Sequence, residues 1–285
     1  MTKEKGSILI VTLWILIILS IWAVIVSSRA STDIALAKHE SENIKALYLA
    51  KAGVMKMIAE LNKDTNAYDS LNEDWRRTND NPKEFKFGGG TVFYGALDEE
   101  SRLNLNSPIL QKEYLIRLGM DETISQRVLD YKVKKGDKGF EFMEELFLVE
   151  GMTSEIYSKI KDYVTIYRGN DAKANINTAG EEMLDIILGN DVQIIDKILA
   201  YRKGPDAKEG TEDDGIFTDD NFSLVFSGFG VTPENIVNYQ SLFSVKSNFF
   251  RIWAEASFSE DKKIIKKITS ITDRAGKIYY WKEDK

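Results

Sequence analysis

The sequence predicts an α+β fold in which a long N-terminal helix packs on an antiparallel sheet and a large α-helical domain is inserted between the strands. Three observations predict this fold. An apolar run followed by an amphipathic helical pattern fills the first 62 residues. Strand-like alternation occurs near both ends of the remaining chain, and an internal repeat of helical composition lies between these strands. The strands are therefore expected to form one sheet from which the helical domain emerges.

The N-terminal segment has the composition of a membrane anchor. The run Ile8–Val26 contains no charged residue, and about 19 helical residues at ~1.5 Å each approach the ~30 Å hydrocarbon core of a bilayer. Lys3 and Lys5 precede the run, which predicts that the N-terminus stays in the cytoplasm and the rest of the chain lies outside. Three interpretations stay open: a plain anchor, a signal peptide cleaved near residue 31, and a short basic leader cut after Gly6.

An amphipathic helical pattern continues from Thr32 to Asn62. Apolar residues recur near the 3.6-residue period with Lys and Glu between them, and no proline occurs before Pro82. One helix is therefore expected to run from the membrane to about Asn62, with its outer half packed on the globular domain.

Strand-like segments lie before and after the predicted insertion, so both ends of the globular region are expected to contribute to the sheet. Phe85–Phe87 and Thr91–Tyr94 flank three consecutive glycines, which predicts a β-hairpin. Further strands are expected at Phe249–Phe258, Ile264–Thr272 and Ile278–Trp281, with turns at Ser259–Asp261 and Ala275–Gly276.

The segment from Asp98 to Val245 contains two copies of one motif, offset by about 70 residues. Each copy has Asn-x-Asn followed by Ser or Thr, then Leu-Gly, then a helical stretch with Tyr-Lys or Tyr-Arg, and finally a glycine-containing hairpin. The copies begin at Leu103–Ser107 and Ala174–Thr178. Because these polar residues precede helical patterns, their side chains are expected to cap the first free N–H groups of the helices.

These tandem units resemble helix-hairpin-helix modules, in which N–H groups of a hairpin can hold a phosphate. The matching positions are Gly151 and Gly228–Gly230. The insertion carries 16 Lys and Arg against 28 Asp and Glu, a net charge of −12, and the whole chain carries −7. Phosphate binding needs several cations nearby. Helix packing is therefore the favoured role of the hairpins, and a membrane-anchored DNA receptor is the alternative.

Most catalytic chemistry is excluded by composition. The chain has no cysteine, and its one histidine is His39 on the predicted stalk. Zinc sites built on His or Cys and Ser-His-Asp or Cys-His catalysis are therefore excluded. The adjacent pairs Glu99-Glu100, Glu144-Glu145 and Asp219-Asp220 are expected to be solvated surface, since neighbouring helical side chains do not face each other. No enzymatic activity is expected.

An acidic loop, Gly204–Gly215, interrupts the second copy of the repeat. Ca²⁺ takes 6–8 oxygen ligands from carboxylates and carbonyls, and a disulfide-free exported domain would gain stability from a bound ion. The predicted calcium ligands are Asp206, Glu209, Thr211, Asp213 and Asp214. A solvated acidic loop is the alternative, and a secreted calcium-binding module is the corresponding alternative for the whole chain.

Taken together, several segments resemble the minor pseudopilin K family of the type II secretion system, also called general secretion pathway protein K. The resemblance covers nearly the whole chain and rests on Lys5-Gly6, Leu13–Leu16, Leu49–Val54, Asp98–Asn106 and Asn175–Ala179. The family implies a pilin-like fold with a large helical insertion. Val11 supports this resemblance, because most pseudopilins have glutamate at the fifth position after the cleaved glycine and the K member lacks it.

The resemblance implies a non-enzymatic subunit that caps the tip of the pseudopilus, initiates its assembly and supports protein export across the outer membrane. A prepilin peptidase would cut after Gly6, and Ser7 would become the N-terminus that the family methylates, although pilins usually have a bulkier apolar residue there. The implied partners are other minor pseudopilins along the N-terminal helix and membrane components of the secretion system, with no nucleic acid. The implied location is the inner membrane, with a single span, a cytoplasmic N-terminus and a periplasmic head.

The expected organisation follows from the patterns and the resemblance together. It consists of a prepilin leader at 1–6, a transmembrane helix at 7–27, an amphipathic continuation at 28–62, a pilin-like β domain at 63–97 and 246–285, and the inserted α-helical domain at 98–245.

Overall fold

The computed structural model describes residues 4–167, 173–189, 191–258 and 264–284, with side chains from Ile8 onward. Two hydrophobic cores organise these residues. One lies between the first helix and a five-stranded sheet, and the other lies within the helical insertion. The predicted fold class, α+β with a long helix on an antiparallel sheet and a helical insertion, is confirmed. The predicted turn at 259–261 lies outside the described residues.

The elements follow one another along the chain in the predicted order. The helices are α1 (Glu4–Lys63), α2 (Lys112–Arg117), α3 (Glu122–Lys135), α4 (Ser154–Ile160), α5 (Glu181–Leu188), α6 (Val192–Lys203), α7 (Phe222–Gly228) and α8 (Pro233–Leu242). The strands are β1 (Lys83–Phe87), β2 (Gly90–Asp98), β3 (Leu103–Asn104), β4 (Val164–Thr165), β5 (Ala174–Asn175), β6 (Phe243–Ser244), β7 (Phe249–Ser257), β8 (Ile264–Asp273) and β9 (Ile278–Asp284). Short 3₁₀ helices occupy Gly136–Lys138 and Met143–Leu148.

Helix α1 is one continuous helix of 60 residues. Its backbone includes Gly6 and Ser7, and its apolar run Ile8–Val26 is not covered by any other described part of the chain. The large apolar side chains of this run are 42–71% exposed. By length and composition this is the one helix among the described residues that could cross a membrane. Exposure of such a long apolar surface to water is unfavourable, so the run is suited to contact a membrane or partner helices.

The sheet has the order β1-β2-β7-β8-β9, and all of its neighbouring strands are antiparallel. The β1–β2 hairpin turns at Gly88 and Gly89, whose φ angles of 57° and 80° favour glycine. Strands β2 and β7 pair along their length although the whole insertion separates them in sequence. The insertion is therefore a detour between two central strands of the sheet.

Close packing holds α1 against this sheet. A Cβ atom at Gly53 would lie 2.8 Å from Val92 Cγ1 and 2.9 Å from Ala254 Cβ. The small residues Ala46 and Ala50 are also fully buried at this contact. Small side chains on both surfaces let the helix and the strands approach, so substitution of Gly53 by a larger residue would separate them.

The two sequence copies form two similar units. In the first, β3 leads through α2, α3 and α4 back to β4, and β3 pairs with β4 in parallel. In the second, β5 leads through α5, α6, α7 and α8 back to β6, and β5 pairs with β6 in parallel. The repeat seen in the sequence is therefore also a repeat of elements, and each unit closes on itself through a two-residue bridge.

Candidate functional site

The second asparagine of each Asn-x-Asn motif binds both backbone groups of a single distant residue. Asn106 Nδ2 donates to Phe140 O at 2.9 Å, and Phe140 N donates to Asn106 Oδ1 at 2.7 Å. Asn177 Nδ2 donates to Phe217 O at 2.9 Å, and Phe217 N donates to Asn177 Oδ1 at 2.8 Å. The asparagine amide has an NH2 group that donates and a C=O group that accepts. It can therefore satisfy the backbone C=O and N–H of a buried residue, as a neighbouring strand would. We call these two pairs the asparagine clamps.

The expected capping role of these motifs is wrong. Helix α2 begins after Gln111 and helix α5 after Gly180, and neither residue caps its helix through a side chain. Ser107 and Thr178 precede the helices by several residues, and Thr178 Oγ1 donates to the buried carboxylate of Asp98 at 2.5 Å. The second asparagine of each motif instead bonds to the backbone of a phenylalanine 34 or 40 residues further along the chain. Without this bond, the buried N–H and C=O of the phenylalanine would lack partners.

A cation from the long helix of each unit reaches the carbonyls of the same turn. Lys132 Nζ of α3 donates to Ser107 O. Arg202 Nη1 of α6 donates to Ala179 O at 2.5 Å and to Ile176 O at 3.2 Å. Both cations follow the tyrosines of the repeated Tyr-Lys and Tyr-Arg pairs. The repeated sequence signal therefore encodes a turn that is fixed from two sides.

The glycine hairpins are also repeated, and their nearest cations are engaged within the protein. Gly151 and Gly230 have φ angles of 92° and 83°, which explains the glycines at these turns. Arg127 Nη1 of α3 donates to Glu150 O at 3.1 Å, and Lys197 Nζ of α6 donates to Phe229 O at 2.6 Å. These cations bind hairpin carbonyls, so each hairpin is hydrogen-bonded to the long helix of its own unit.

The acidic loop of the second unit folds around the hydroxyl of Thr211. Thr211 Oγ1 lies 2.7 Å from Asp213 Oδ1 and 3.0 Å from Asp214 Oδ1. A hydroxyl has one proton, so it can donate to only one of these carboxylates. The Thr211 hydrogen bond lowers the pKa of Asp213. Asp206 joins the same loop, because its N–H donates to Asp213 Oδ2 at 3.0 Å.

Glu209 is turned toward the protein instead of toward this group. Its Oε1 lies 2.8 Å from Arg202 Nη2, and the Arg202 side chain is 4% exposed. The structure therefore brings together the side chains of Thr211, Asp213 and Asp214, and Asp206 joins them through its backbone N–H while its carboxylate accepts from Lys208 N. Glu209 forms an ion pair with the cation that fixes the Asn-x-Asn turn. Asp219 and Asp220 are exposed, as expected.

Three consecutive acidic residues at the end of β2 form the junction between the two cores, and the expectation that Glu99-Glu100 is solvated surface is wrong. Asp98, Glu99 and Glu100 are 5%, 0% and 3% exposed. Of the pair Glu144-Glu145, Glu144 is exposed, but Glu145 accepts from Glu141 N and from the Tyr131 hydroxyl.

Glu99 is a buried ion-paired carboxylate. Arg251 Nε and Nη2 donate to it at 2.8 and 2.9 Å, and Arg102 Nη1 donates at 2.7 Å. The Thr165 hydroxyl of β4 adds a fourth hydrogen bond at 2.9 Å. Burial alone would raise the pKa of Glu99, but the two guanidinium groups outweigh it and hold the pKa below its usual value. Glu99 thus ties the first unit to strand β7.

Asp98 ties the second unit to the sheet by hydrogen bonds without a direct cation. Its Oδ2 accepts from Thr178, from Ser247 Oγ at 2.7 Å and from Asn175 Nδ2 at 3.0 Å. Its Oδ1 accepts from Glu100 N at 2.8 Å. Burial raises the pKa of Asp98 to about 6, although these donors oppose the rise.

A further acidic group adjoins this junction. Asp64, Asp69 and Glu73 place carboxylate oxygens within 4.8 Å of one another. Arg274 fills the cationic role there, since its Nη1 donates to Asp64 at 2.8 Å and its Nη2 to Asp69 at 2.5 Å. The sequence signal for this junction was the run of three acids at the end of a strand, together with arginines in strands far along the chain.

The outward side of α1 carries exposed apolar side chains beyond the apolar run Ile8–Val26, and we call them the apolar stripe. Ile44, Tyr48 and Met55 are 50%, 68% and 49% exposed. At 100° per residue they lie within about 40° of one another, on the side opposite Ala50 and Gly53, which face the sheet. Lys51 lies between Tyr48 and Met55 in the chain and at nearly the same angle, with its side chain 38% exposed and paired with Glu283, so the stripe is apolar with one cation in it.

No protein-family model and no curated protein matches the chain. Its fold is similar to that of a chain in the crystal structure of the GspK-GspI-GspJ complex from the type 2 secretion system of enterotoxigenic Escherichia coli. The similarity covers 90% of this chain and 99% of that chain, with a TM-score of 0.55 and 14% sequence identity. The resemblance to the secretion pseudopilins is therefore confirmed at the level of the fold, and the pilin-like architecture with its helical insertion is the architecture of this protein.

Proposed function

We propose that this protein is a non-enzymatic minor pseudopilin that caps the tip of a type II secretion pseudopilus, initiates its assembly and supports protein export. The observation that carries the proposal is the shared architecture, which extends over 90% of the chain. The continuous helix α1 agrees with it, since an exposed apolar run lies at one end and the sheet core at the other.

The tip position is supported by the insertion and by Val11. The insertion adds a second core beside the pilin-like sheet, and its bulk would hinder the stacking of a further subunit above it. Val11 lies in the apolar run, so the buried helix of an assembled subunit would contain no carboxylate that needs a partner above it. An unpaired carboxylate in that position would be costly.

Processing and orientation belong to the same proposal. Lys3 and Lys5 would hold the N-terminus in the cytoplasm, a prepilin peptidase would cut after Gly6, and the head would lie in the periplasm. In the native host, a Gly6→Val variant should stay unprocessed and should leave exported proteins inside the cell. A Thr2→Val variant, altered in the same leader, should be cut and should support secretion. Normal secretion by an uncut Gly6→Val variant would contradict the proposal.

The apolar stripe of α1 is the proposed contact with other minor pseudopilins. Because the chain has no cysteine, a Tyr48→Cys variant would carry a single thiol on this stripe. It should form cross-links to fellow minor pseudopilins that carry one cysteine in the matching helix. Val133→Cys, at a position 79% exposed in the insertion, is the matched control and should not. Equal cross-linking of the two variants would contradict this contact.

We also propose that the acidic loop holds Ca²⁺ through Asp206, Thr211, Asp213 and Asp214. The support is the pair of carboxylates that approach one hydroxyl in an exposed loop, where mutual repulsion favours a cation. Calcium should raise the melting temperature of the wild type and of Asp220→Asn, but not of an Asp213→Asn/Asp214→Asn double variant. A wild-type melting temperature that is the same in calcium and in chelator would contradict the site.

A further inference from the structure

Glu100 is a buried carboxyl group that lacks the partners of its two neighbours. Its residue is 3% exposed, and its Oε1 has no hydrogen-bond partner among the described residues. Glu99 next to it binds two arginines, and Asp98 accepts four hydrogen bonds. Glu100 follows these two well-satisfied carboxylates along the chain without sharing their partners, and the backbone N–H of Asn248 donates a hydrogen bond to its carboxyl group.

The charges around Glu100 are mainly negative. Asp98, two residues earlier at the end of β2, and Asp69 on the loop after α1 both act on it, and Arg274 at the end of β8 is the cation that opposes them. Arg274 donates to Asp64 and Asp69, and Glu73 lies beside these two carboxylates. The Arg274 guanidinium group is therefore hydrogen-bonded to Asp64 and Asp69, and its positive charge only partly offsets the negative charges around Glu100.

We propose that Glu100 is a proton-binding site, and that its bound proton is required to dock the helical insertion on the pilin-like sheet. An ionised carboxylate here would be desolvated, would lack a cation of its own and would face Asp98 and Asp69, which is the costly arrangement for a buried charge. A neutral carboxylic acid avoids that cost. Burial, followed by the charge of Asp98, raises the pKa of Glu100 to about 9, in agreement with this assignment.

The position of Glu100 explains why its proton bears on docking. Its backbone carbonyl accepts from Asn175 N at 3.0 Å, so Glu100 is bonded to the first strand of the second unit. The Asn175 Nδ2 group in turn lies within 3.1 Å of Asp69 O, Asp98 Oδ2 and Ser247 Oγ on the sheet side of the junction, and its two protons can serve two of these three acceptors at a time. A negative charge at Glu100 would therefore appear inside the contact between the two cores.

The sign of the pH effect follows from linkage. An unfolded glutamate loses its proton near pH 4.5, whereas the folded protein keeps it until about pH 9. Folding therefore takes up one proton in this interval, and the stability associated with the proton is lost as the pH rises. A Glu100→Gln variant has a neutral side chain of nearly the same shape at every pH, so it lacks this loss.

The experiment compares the full-length wild type, Glu100→Gln and Glu99→Gln in detergent micelles. Denaturant unfolding at pH 6, 7 and 8 gives a folding equilibrium constant for each protein. The constant of Glu100→Gln relative to the wild type should rise about tenfold per pH unit, or about 100-fold from pH 6 to pH 8. The relative constant of Glu99→Gln should stay flat over the same range, because Glu99 is ionised in both states there.

A direct titration covers the case in which a variant folds poorly. The ¹³C carboxyl signal of Glu100 in wild-type protein, assigned by its absence in Glu100→Gln, should remain in the protonated position through pH 7. A relative folding constant that does not change with pH, or a Glu100 signal that titrates near pH 4.5, would overturn the proposal. Neither result bears on whether the protein is a pseudopilin, since the proposal rests on the junction alone.

Discussion

The two units of the insertion share one internal construction but attach to the rest of the molecule differently. In both, the second asparagine clamps a phenylalanine. The first asparagine differs. Asn104 donates to Tyr167 O within its own unit, whereas the Asn175 amide nitrogen lies within hydrogen-bond distance of Asp69 O, Asp98 and Ser247, all outside its unit. In each motif the second asparagine therefore stabilises the inside of its own unit. The first asparagine bonds within the unit in the first copy and to the sheet side of the junction in the second copy.

The junction residues show the same division in their electrostatics. Glu99 reaches Thr165 of the first unit and is held by two arginines, so this contact is a buried ion-pair network. Asp98 reaches Thr178 and Asn175 of the second unit through neutral donors. Adjacent residues at the end of β2 thus dock the two units by different physical means, and the two contacts should respond differently to mutation and pH.

The largest effect is expected from removing the charge of Glu99. Glu99→Gln would leave the half-buried guanidinium groups of Arg102 and Arg251 without the buried carboxylate that they share. The expected loss is about 3–5 kcal/mol of unfolding free energy, as for other broken buried ion pairs, measured by denaturant unfolding at pH 7. The depressed pKa of Glu99 places this contribution above about pH 4.5, and it should be lost as the pH falls below that value. A cost under 1 kcal/mol would show that the network does not hold the first unit.

Next in size are the asparagine clamps. Asn106→Ala and Asn177→Ala each leave the buried N–H and C=O of a phenylalanine without partners, at a cost of about 2–3 kcal/mol. Since the two clamps have nearly the same geometry, the two losses should agree within about 1 kcal/mol. A large effect at only one of the two positions would contradict the equivalence of the units.

Replacing the first asparagines should separate the units. Asn104→Ala and Asn175→Ala should each cost about 1–2 kcal/mol, but with different distributions. Native-state hydrogen exchange should show loosening confined to the first unit for Asn104→Ala. For Asn175→Ala it should also show loosening at Asp69 and Ser247. The same exchange pattern for both variants would contradict the proposal that Asn104 stabilises its own unit while Asn175 stabilises the contact with the sheet.

The smallest effect concerns the hairpin glycines. Alanine at Gly151 or Gly230 must adopt a positive φ, which costs about 1 kcal/mol. A Cβ at Gly151 would also lie 3.2 Å from Ile124 Cγ1, whereas nothing lies within 4 Å of one at Gly230. Thermal unfolding should therefore show a larger loss for Gly151→Ala than for Gly230→Ala. A larger loss of stability for Gly230→Ala than for Gly151→Ala would contradict the packing difference at these two glycines.

The features predicted correctly from sequence are those that local periodicity encodes. The uninterrupted helix to about Asn62, the hairpin at Gly88–Gly90 and the three C-terminal strands all follow from spacing within short windows. The repeat was visible because the second copy preserves Asn-x-Asn, Leu-Gly and the Tyr-cation pair. These signals do not depend on knowing which distant residues meet.

The errors arise where a side chain finds its partner far along the chain. Asn177 precedes a helix, which suggested capping, but its partner Phe217 lies 40 residues away. The burial of Glu99 depends on Arg251, 152 residues away, which reaches it only because β2 and β7 pair. Spacing within a short window does not reveal such contacts, so the sequence alone wrongly predicts that the pair Glu99-Glu100 is surface.

The most direct test of the account is the intact mass of the mature membrane-bound protein. A pseudopilin would be found without residues 1–6, with the chain beginning at Ser7 and the apolar helix retained. An intact Met1 would contradict prepilin processing and leave a plain anchor, and a start near Ser31 would mean that the stalk helix is not part of the mature protein.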